Sequence, residues 1–301
     1  MTTPRFNAKR HGAPLLLAAA ALWSTNGVLI KLLHDGGMHG AAVACYRSLV
    51  AALFLAPFAW RRRTPIPHPG WTAAAVLMFT GMCATFVIST TLTTAANAII
   101  LQYTAPAWVF LLSPLVNRER AERRQWIAFA ASMSAIALIF ACQYSADPLG
   151  LSCALLSGLV FGLQIVFFRR VSGLDPVLFI FLCCAGSGLM LLPFAATIQG
   201  HFPPAGQLGL VVLTGVVQFG LPYVLYAAAN RHVSAQTAVL IVMLEPVLNP
   251  VWVFLARGET PAGSTLAGGG LILLSVAYLS LTGGPPKGAV LAEDLEPKSP
   301  T

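Results

Sequence analysis

Apolar residues fall in long runs along the chain, cut by short stretches of Gly, Pro and charge. A helix that crosses a bilayer needs about 20 mostly apolar residues. Ten runs approach that length: 13–33, 40–59, 71–91, 94–116, 124–142, 149–168, 176–197, 207–228, 234–256 and 263–282. The segments between them are breakers or charge clusters, among them "RRRTPIPHPG", "RERAERR", "SADP", "HFPPAG" and "RGETPAG". The pattern predicts an all-α integral membrane protein with ten transmembrane helices. The first run lacks a convincing signal-peptide cleavage site, so a retained helix is expected. The ends, 1–12 and 283–301, are short and polar. "GGPPKGAVLAEDLEPKSPT" carries no apolar face, so disorder is expected there. With no soluble domain in view, function is expected inside the membrane.

Composition agrees with that picture. Of 301 residues, 57% are hydrophobic and 9% charged, with a mean hydropathy of +0.76, against about 25% charged in soluble domains. The net charge of +8 would elsewhere suggest nucleic acid, but here it follows the loops. With the N-terminus inside, the inner side holds Arg5, Lys9, Arg10, Arg61–Arg63, Arg118, Arg120, Arg123, Arg124, Arg169, Arg170, Arg231, Lys287 and Lys298. The outer side holds Lys31 and Arg257, and Arg47 lies within a span. That asymmetry predicts two cytoplasmic termini. The six cysteines (45, 83, 142, 153, 183 and 184) form no C-x-x-C pair and no His stands near them at ligand spacing. They read as small packing residues, with no metal or cofactor site.

The chain repeats itself at a shift of 140 residues. "TTAANAIILQYTAPAWVFLLSPLVNRE" (93–119) lies over "VSAQTAVLIVMLEPVLNPVWVFLARGE" (233–259), matching Ala95 to Ala235, Ala98 to Ala238, Pro106 to Pro246 and Glu119 to Glu259. Upstream, "AALWSTNG" resembles "GLVFGLQ", bringing Asn26 near Gln164, and "APF" (56–58) pairs with "LPF" (192–194). Each half then holds five spans, 13–142 and 149–282. An odd number forces the two copies into opposite orientations. Inverted repeats place sites near the midplane, where helices are interrupted. Pro106 and Pro246 are matching helix breaks, each freeing a carbonyl four residues earlier, at Gln102 and Val242. Whether they line a site or only shape packing is left open.

These features identify a resemblance to EamA-type members of the drug/metabolite transporter superfamily. It is carried by "ALWSTNGVLIK" on the first span and by the paired Pro106–Glu119 and Pro246–Glu259 segments, and it covers about residues 13–282. Within that family the chain most resembles bacterial amino-acid exporters of the YddG kind. The resemblance implies a bacterial-type inner membrane and a central cavity lined by spans one, three, four, six, eight and nine. On those spans the residues available to an amino acid or similar small amphipathic substrate are Trp23, Ser24, Asn26, Thr80, Thr85, Gln102, Tyr103, Trp108, Gln164, Gln218, Tyr223, Tyr226, Glu245 and Asn249. Polar groups would meet the substrate's ammonium and carboxylate, and rings its side chain. The resemblance also suggests that Glu119 and Glu259 organise the turn into the next helix.

Glu245 stands out because ionisable residues inside spans are rare and face a cavity or a partner. It either handles an ammonium or a proton, or holds two helices together, with Arg47 as a candidate partner. "AASMSA" (130–135) and Gly268–Gly270 permit close helix approach, which leaves homodimerisation open. No catalytic residues are expected. Ser187 has no His in an adjacent span, the aspartates 35, 147 and 175 lie in loops, and no phosphate-binding G-x-x-x-x-G-K-[ST] occurs. The expectation is an exporter working by alternating access, with membrane lipid and a small molecule as partners and no nucleic acid. A lipid or carrier-lipid flippase, or a proton-coupled exporter of drugs or other metabolites, is the alternative.

Overall fold

The computed structural model describes residues 9–62, 64–117, 123–143, 147–171, 173–199, 203–229, 238 and 241–282. Among these residues the regular structure is helical. It runs as α1 (Lys9–Ser24), α2 (Asn26–Asp35), α3 (Gly40–Trp60), α4 (Pro69–Leu92), α5 (Ala95–Gln102), α6 (Ala105–Asn117) and α7 (Arg123–Gln143). It continues with α8 (Pro148–Phe168), α9 (Pro176–Gln199), α10 (Leu208–Leu213), a π-helical segment Thr214–Gly220, α11 (Leu221–Ala229), α12 (Leu244–Arg257) and α13 (Gly263–Thr282). Eight helical stretches are long and apolar enough to cross a bilayer, from Gly12–Asp35 to Ala205–Ala229. α12 is 14 residues long, and Gly263–Tyr278 is a shorter apolar helix. Glu119, Ala235, residues 1–8 and the tail 283–301 lie outside the described residues.

Local chemistry explains where the helices begin and end. Asp147 caps α8 by accepting from the Gly150 N–H at 3.2 Å, with Pro148 in the first turn. Asp175 caps α9 through the Val177 and Leu178 N–H groups at 2.8 and 3.3 Å. Gly258 ends α12 at φ 70°, a conformation that glycine adopts without a Cβ penalty. Two expectations need correction. α1 begins at Lys9, inside the tail expected over 1–12. The first span is not one helix but breaks at Thr25, whose hydroxyl donates to the Leu22 carbonyl. The fourth span divides into α5 and α6 at Tyr103–Thr104, next to Pro106, which suits the first turn of a helix and not its middle.

The distribution of polarity is that of a membrane protein. Leu53, Leu115, Leu189, Leu255 and Leu274 are exposed, while Asn97, Gln102, Gln164, Gln218 and Asn249 are buried. Polar groups hidden inside and large apolar groups outside are the reverse of a water-soluble surface. α4 packs along α8, α3 along α9, α7 along α13, and α1 along α11. Exchanging spans five apart maps the α4–α8 pair onto the pair formed by α11 and α1. Close approach follows from small residues. A Cβ on Gly268 of α13 would lie 3.2 Å from the Ala135 carbonyl of α7. Gly268 and Ala135, from the two small-residue faces, are thus packed against each other within the chain, while Ala130 and Ser134 stay exposed.

One end of the bundle collects Arg61, Arg62, Arg123, Arg124, Arg169 and Arg170. Arg62 pairs there with Asp175 at 3.2 Å, and Arg170 lies over Trp71. The other end holds two ion pairs, Lys31–Glu259 at 2.6 Å and Asp35–Arg257. Glu259 also accepts from the Ala95 N–H at 2.7 Å, and Lys31 donates to the Thr93 carbonyl at 3.1 Å. Glu259 therefore caps α5, in the other half of the chain, rather than the helix that follows it.

Candidate substrate site

Two helix breaks meet at the centre of the site. Pro246 stands in the first turn of α12, and the carbonyl that it frees, Val242, accepts from the Tyr103 hydroxyl at 3.2 Å. Tyr103 itself occupies the gap between α5 and α6 that Pro106 imposes. Its hydroxyl also lies 3.0 Å from Glu245 Oε2, while Asn26 Nδ2 donates to Glu245 Oε1 at 3.1 Å. Asn26 opens α2 immediately after the Thr25 break, and its Oδ1 accepts from Asn249 Nδ2, one turn along α12 from Glu245. Three interrupted spans thus put a carboxylate, a phenol and two amides into one hydrogen-bonded cluster. Gly27 makes the approach possible, since a Cβ there would lie 2.8 Å from Asn249 Oδ1 and from Val253.

An aromatic wall continues from this cluster. Trp23, one turn before Asn26, stacks edge-on against Tyr223 at 5.0 Å and lies 5.8 Å from Tyr226. Tyr223 is 5.6 Å from Phe219. The Gln218 amide donates to the Trp23 carbonyl at 3.4 Å. Gln218 and Phe219 belong to the π-helical segment, a helix irregularity frequent at functional sites. That segment was not expected from the sequence. The available signal was Pro222, which cannot donate to the Gln218 carbonyl and so favours a wider turn. Gly215 and Gly220 within it let the segment rest on Val50 and Phe54 of α3.

Trp23, Asn26, Tyr103, Gln218, Tyr223, Glu245 and Asn249 are therefore linked in one region. Other candidates take different surroundings. Thr80 and Thr85 return their hydroxyls to their own helix, at Val76 and Gly81. Ser24 accepts from the Trp252 indole at 2.9 Å. Trp108 donates to Thr104 at 3.2 Å and faces Gly162 of α8. Gln102 is buried at the end of α5, its carbonyl 3.2 Å from the position of a Cβ on Gly158. Gln164 is buried with its Oε1 unpaired. Arg47 makes no ion pair with Glu245, whose carboxylate is held by Asn26 and Tyr103, although the two charges interact electrostatically. Sequence reasoning also missed Gly158 and Gly162, whose "GLVFG" spacing seats α8 against the α5–α6 break. A second buried network, Asn97 with Gln143 at 3.0 Å and Thr265 at 2.5 Å, ties α5 to α7 and α13.

Apolar spans enclosing a polar cluster at broken helices define a multi-pass membrane protein of the transporter class. The profile of the EamA-like transporter family matches residues 10–141 and again 148–281, so the chain belongs to that family, within the drug/metabolite transporter superfamily. It is 24% identical over 275 residues to an uncharacterized transporter of Archaeoglobus fulgidus, covering 90% of this chain and 97% of that one. It is 24% identical over 290 residues to the uncharacterized inner membrane transporter YicL of Salmonella typhimurium, covering 90% and 96%. The pseudopaline exporter CntI of Pseudomonas aeruginosa is 28% identical over 191 residues, 62% of this chain and 66% of that one. A solved crystal structure shares the fold at a TM-score of 0.63 and 17% identity, over 91% of this chain and 98% of that chain. Family and relatives alike are transporters and not enzymes.

Proposed function

We propose that the protein exports amino acids, aromatic and other neutral ones, or similarly small amphipathic metabolites, by alternating access through a midplane cavity. The reading takes the ten spans as two inverted five-helix repeats with both termini cytoplasmic, in a bacterial-type inner membrane. It rests on one observation above the rest. Glu245 sits at the break of the ninth span and is held by Asn26 of the first and Tyr103 of the fourth. A carboxylate placed where the two halves meet can exchange its Asn26 and Tyr103 partners for a substrate ammonium when those halves move apart. The Trp23–Tyr223–Phe219 wall offers rings for an apolar side chain. Likeness to an exporter named for pseudopaline supports outward movement of a small metabolite.

The test is counterflow uptake of a labelled amino-acid panel into proteoliposomes, with wild type and Glu245→Gln side by side, each with and without an imposed pH gradient. Uptake by wild type that Glu245→Gln abolishes is the expected result. Uptake that follows the pH gradient adds proton coupling. If wild type moves no amino acid, the substrate reading fails and a flippase becomes the stronger account.

A further inference from the structure

Arg47 is a buried cation with no ion pair among the described residues. It lies in α3, 3% exposed, with its guanidinium carbon 4.4 Å from the centre of the Phe219 ring and its Nε without a hydrogen-bond partner. The Cys83 thiol, Ser48 and Ser187 surround it with small polar groups. It stands seven residues into α3 from Gly40, about 10 Å at 1.5 Å per residue.

A buried guanidinium in a bilayer calls for a counter-ion. Among the described residues no carboxylate forms an ion pair with Arg47, and Glu245 interacts with it electrostatically without reaching it. Asp35 pairs with Arg257, Asp175 with Arg62 and Glu259 with Lys31. Asp147 caps α8, and Glu245 is held by Asn26 and Tyr103. A ring face offsets only part of the desolvation of a cation. Close by, the opposite deficit occurs. Gln218 Oε1, one residue from Phe219, and Asn249 Oδ1, in the Glu245 cluster, are buried acceptors without donors.

We infer that Arg47 binds the carboxylate of the transported molecule, while Glu245, Asn249 and Gln218 receive its ammonium. The site is then bipolar, with its cationic end on α3 and its anionic end on α12, joined by the aromatic wall. The substrate class that fits is a zwitterion carrying an apolar side chain. This rests on the exporter reading above and adds that the carboxylate is required. A planar guanidinium suits it, because two parallel N–H groups can meet two carboxylate oxygens.

The experiment measures competition against labelled L-phenylalanine in proteoliposomes, and binding of the same ligands to purified protein by thermal shift. The competitors are L-phenylalanine, phenethylamine, which lacks the carboxylate, and 3-phenylpropionate, which lacks the ammonium. Wild type is expected to prefer phenylalanine over phenethylamine by about tenfold or more, the size of one charged hydrogen bond. Arg47→Gln is expected to bring the two ligands within about twofold of each other while 3-phenylpropionate loses its binding. Glu245→Gln, read by thermal shift alone because its uptake is lost, is expected to bind phenylalanine more weakly while 3-phenylpropionate still binds through Arg47. Arg47→Lys, which keeps the charge without the fork, serves if the glutamine variant does not fold, and is expected to retain part of the preference. Wild type that takes phenethylamine as well as phenylalanine overturns the role of Arg47 and leaves the exporter reading standing. Binding of 3-phenylpropionate that needs Arg47, in a protein that moves no amino acid, does the reverse. A loss of all three ligands in equal measure on Arg47 substitution assigns the residue to packing and also overturns the inference.

Discussion

Replacing Tyr103 by Phe deletes one hydroxyl that serves two acceptors, Glu245 Oε2 at 3.0 Å and the Val242 carbonyl at 3.2 Å. One proton cannot fully satisfy both, so its loss weakens the support of a buried carboxylate and of a carbonyl that Pro246 already deprived. A hydrogen bond to a charged group contributes about 1.5–3 kcal/mol in water-soluble proteins. Polar contacts between spans average nearer 0.6 kcal/mol, with a ceiling of about 1.7. The unfolded chain in a micelle also finds partners, which sets the lower figure as the better guide. A Tyr103–Glu245 coupling of about 1 kcal/mol is therefore expected. A double-mutant cycle separates it from the Val242 bond, which survives in the Glu245 single variant. Tyr103→Phe, Glu245→Leu and the pair would be unfolded reversibly in mixed micelles by rising SDS fraction. If the two effects add to within about 0.3 kcal/mol, as they do for independent sites, the hydroxyl and carboxylate are not partners and the cluster does not exist as described.

Other residues give equally direct tests. Gly158→Ala places a Cβ 2.6 Å from the Leu101 carbonyl and 2.4 Å from Thr104 Oγ1; overpacking of that kind costs about 1–3 kcal/mol, visible as a lower melting temperature in detergent, and an unchanged value would refute the α8 contact. Lys31→Met and Glu259→Gln each take away the opposite charge of a partly buried pair, so the double variant should lose less stability than the sum of the two single losses; additive losses in micelle unfolding would argue against the pair. Glu259→Ala should speed hydrogen exchange at the α5 N-terminus through loss of the acceptor for the Ala95 N–H, whereas Lys31→Met should not.

Much of the architecture was legible because hydropathy is a local quantity. The first eight apolar runs match described spanning stretches within a few residues, since each breaker acts on its own neighbours. Pro106 and Pro246 could be named as breaks for the same reason, because a missing N–H has a consequence four residues away. The Thr25 break and the π-helical segment were not read, though Pro222 marked the second. Glu259 was assigned to its own turn, yet it caps α5, some 160 residues distant in sequence. Arg47 was named as a candidate partner of Glu245; the fold lays it on Phe219, in electrostatic interaction with Glu245 but without an ion pair.

The difference has one physical origin. In a bilayer a span is apolar on its lipid face and largely apolar on its packed face, so composition announces that a helix crosses but not which side turns inward. The sequence by itself determined the number of apolar runs, their punctuation, the internal repeat and the unusual placement of Glu245 and Arg47. Only the tertiary structure decided that Glu245 meets Asn26 and Tyr103, that a proline-freed carbonyl finds a phenol across the repeat boundary, and that Arg47 lies on Phe219 with its Nε unpartnered. Those outcomes depend on distances between helices far apart in the chain, which small residues such as Gly27, Gly158 and Gly215 set by letting backbones approach.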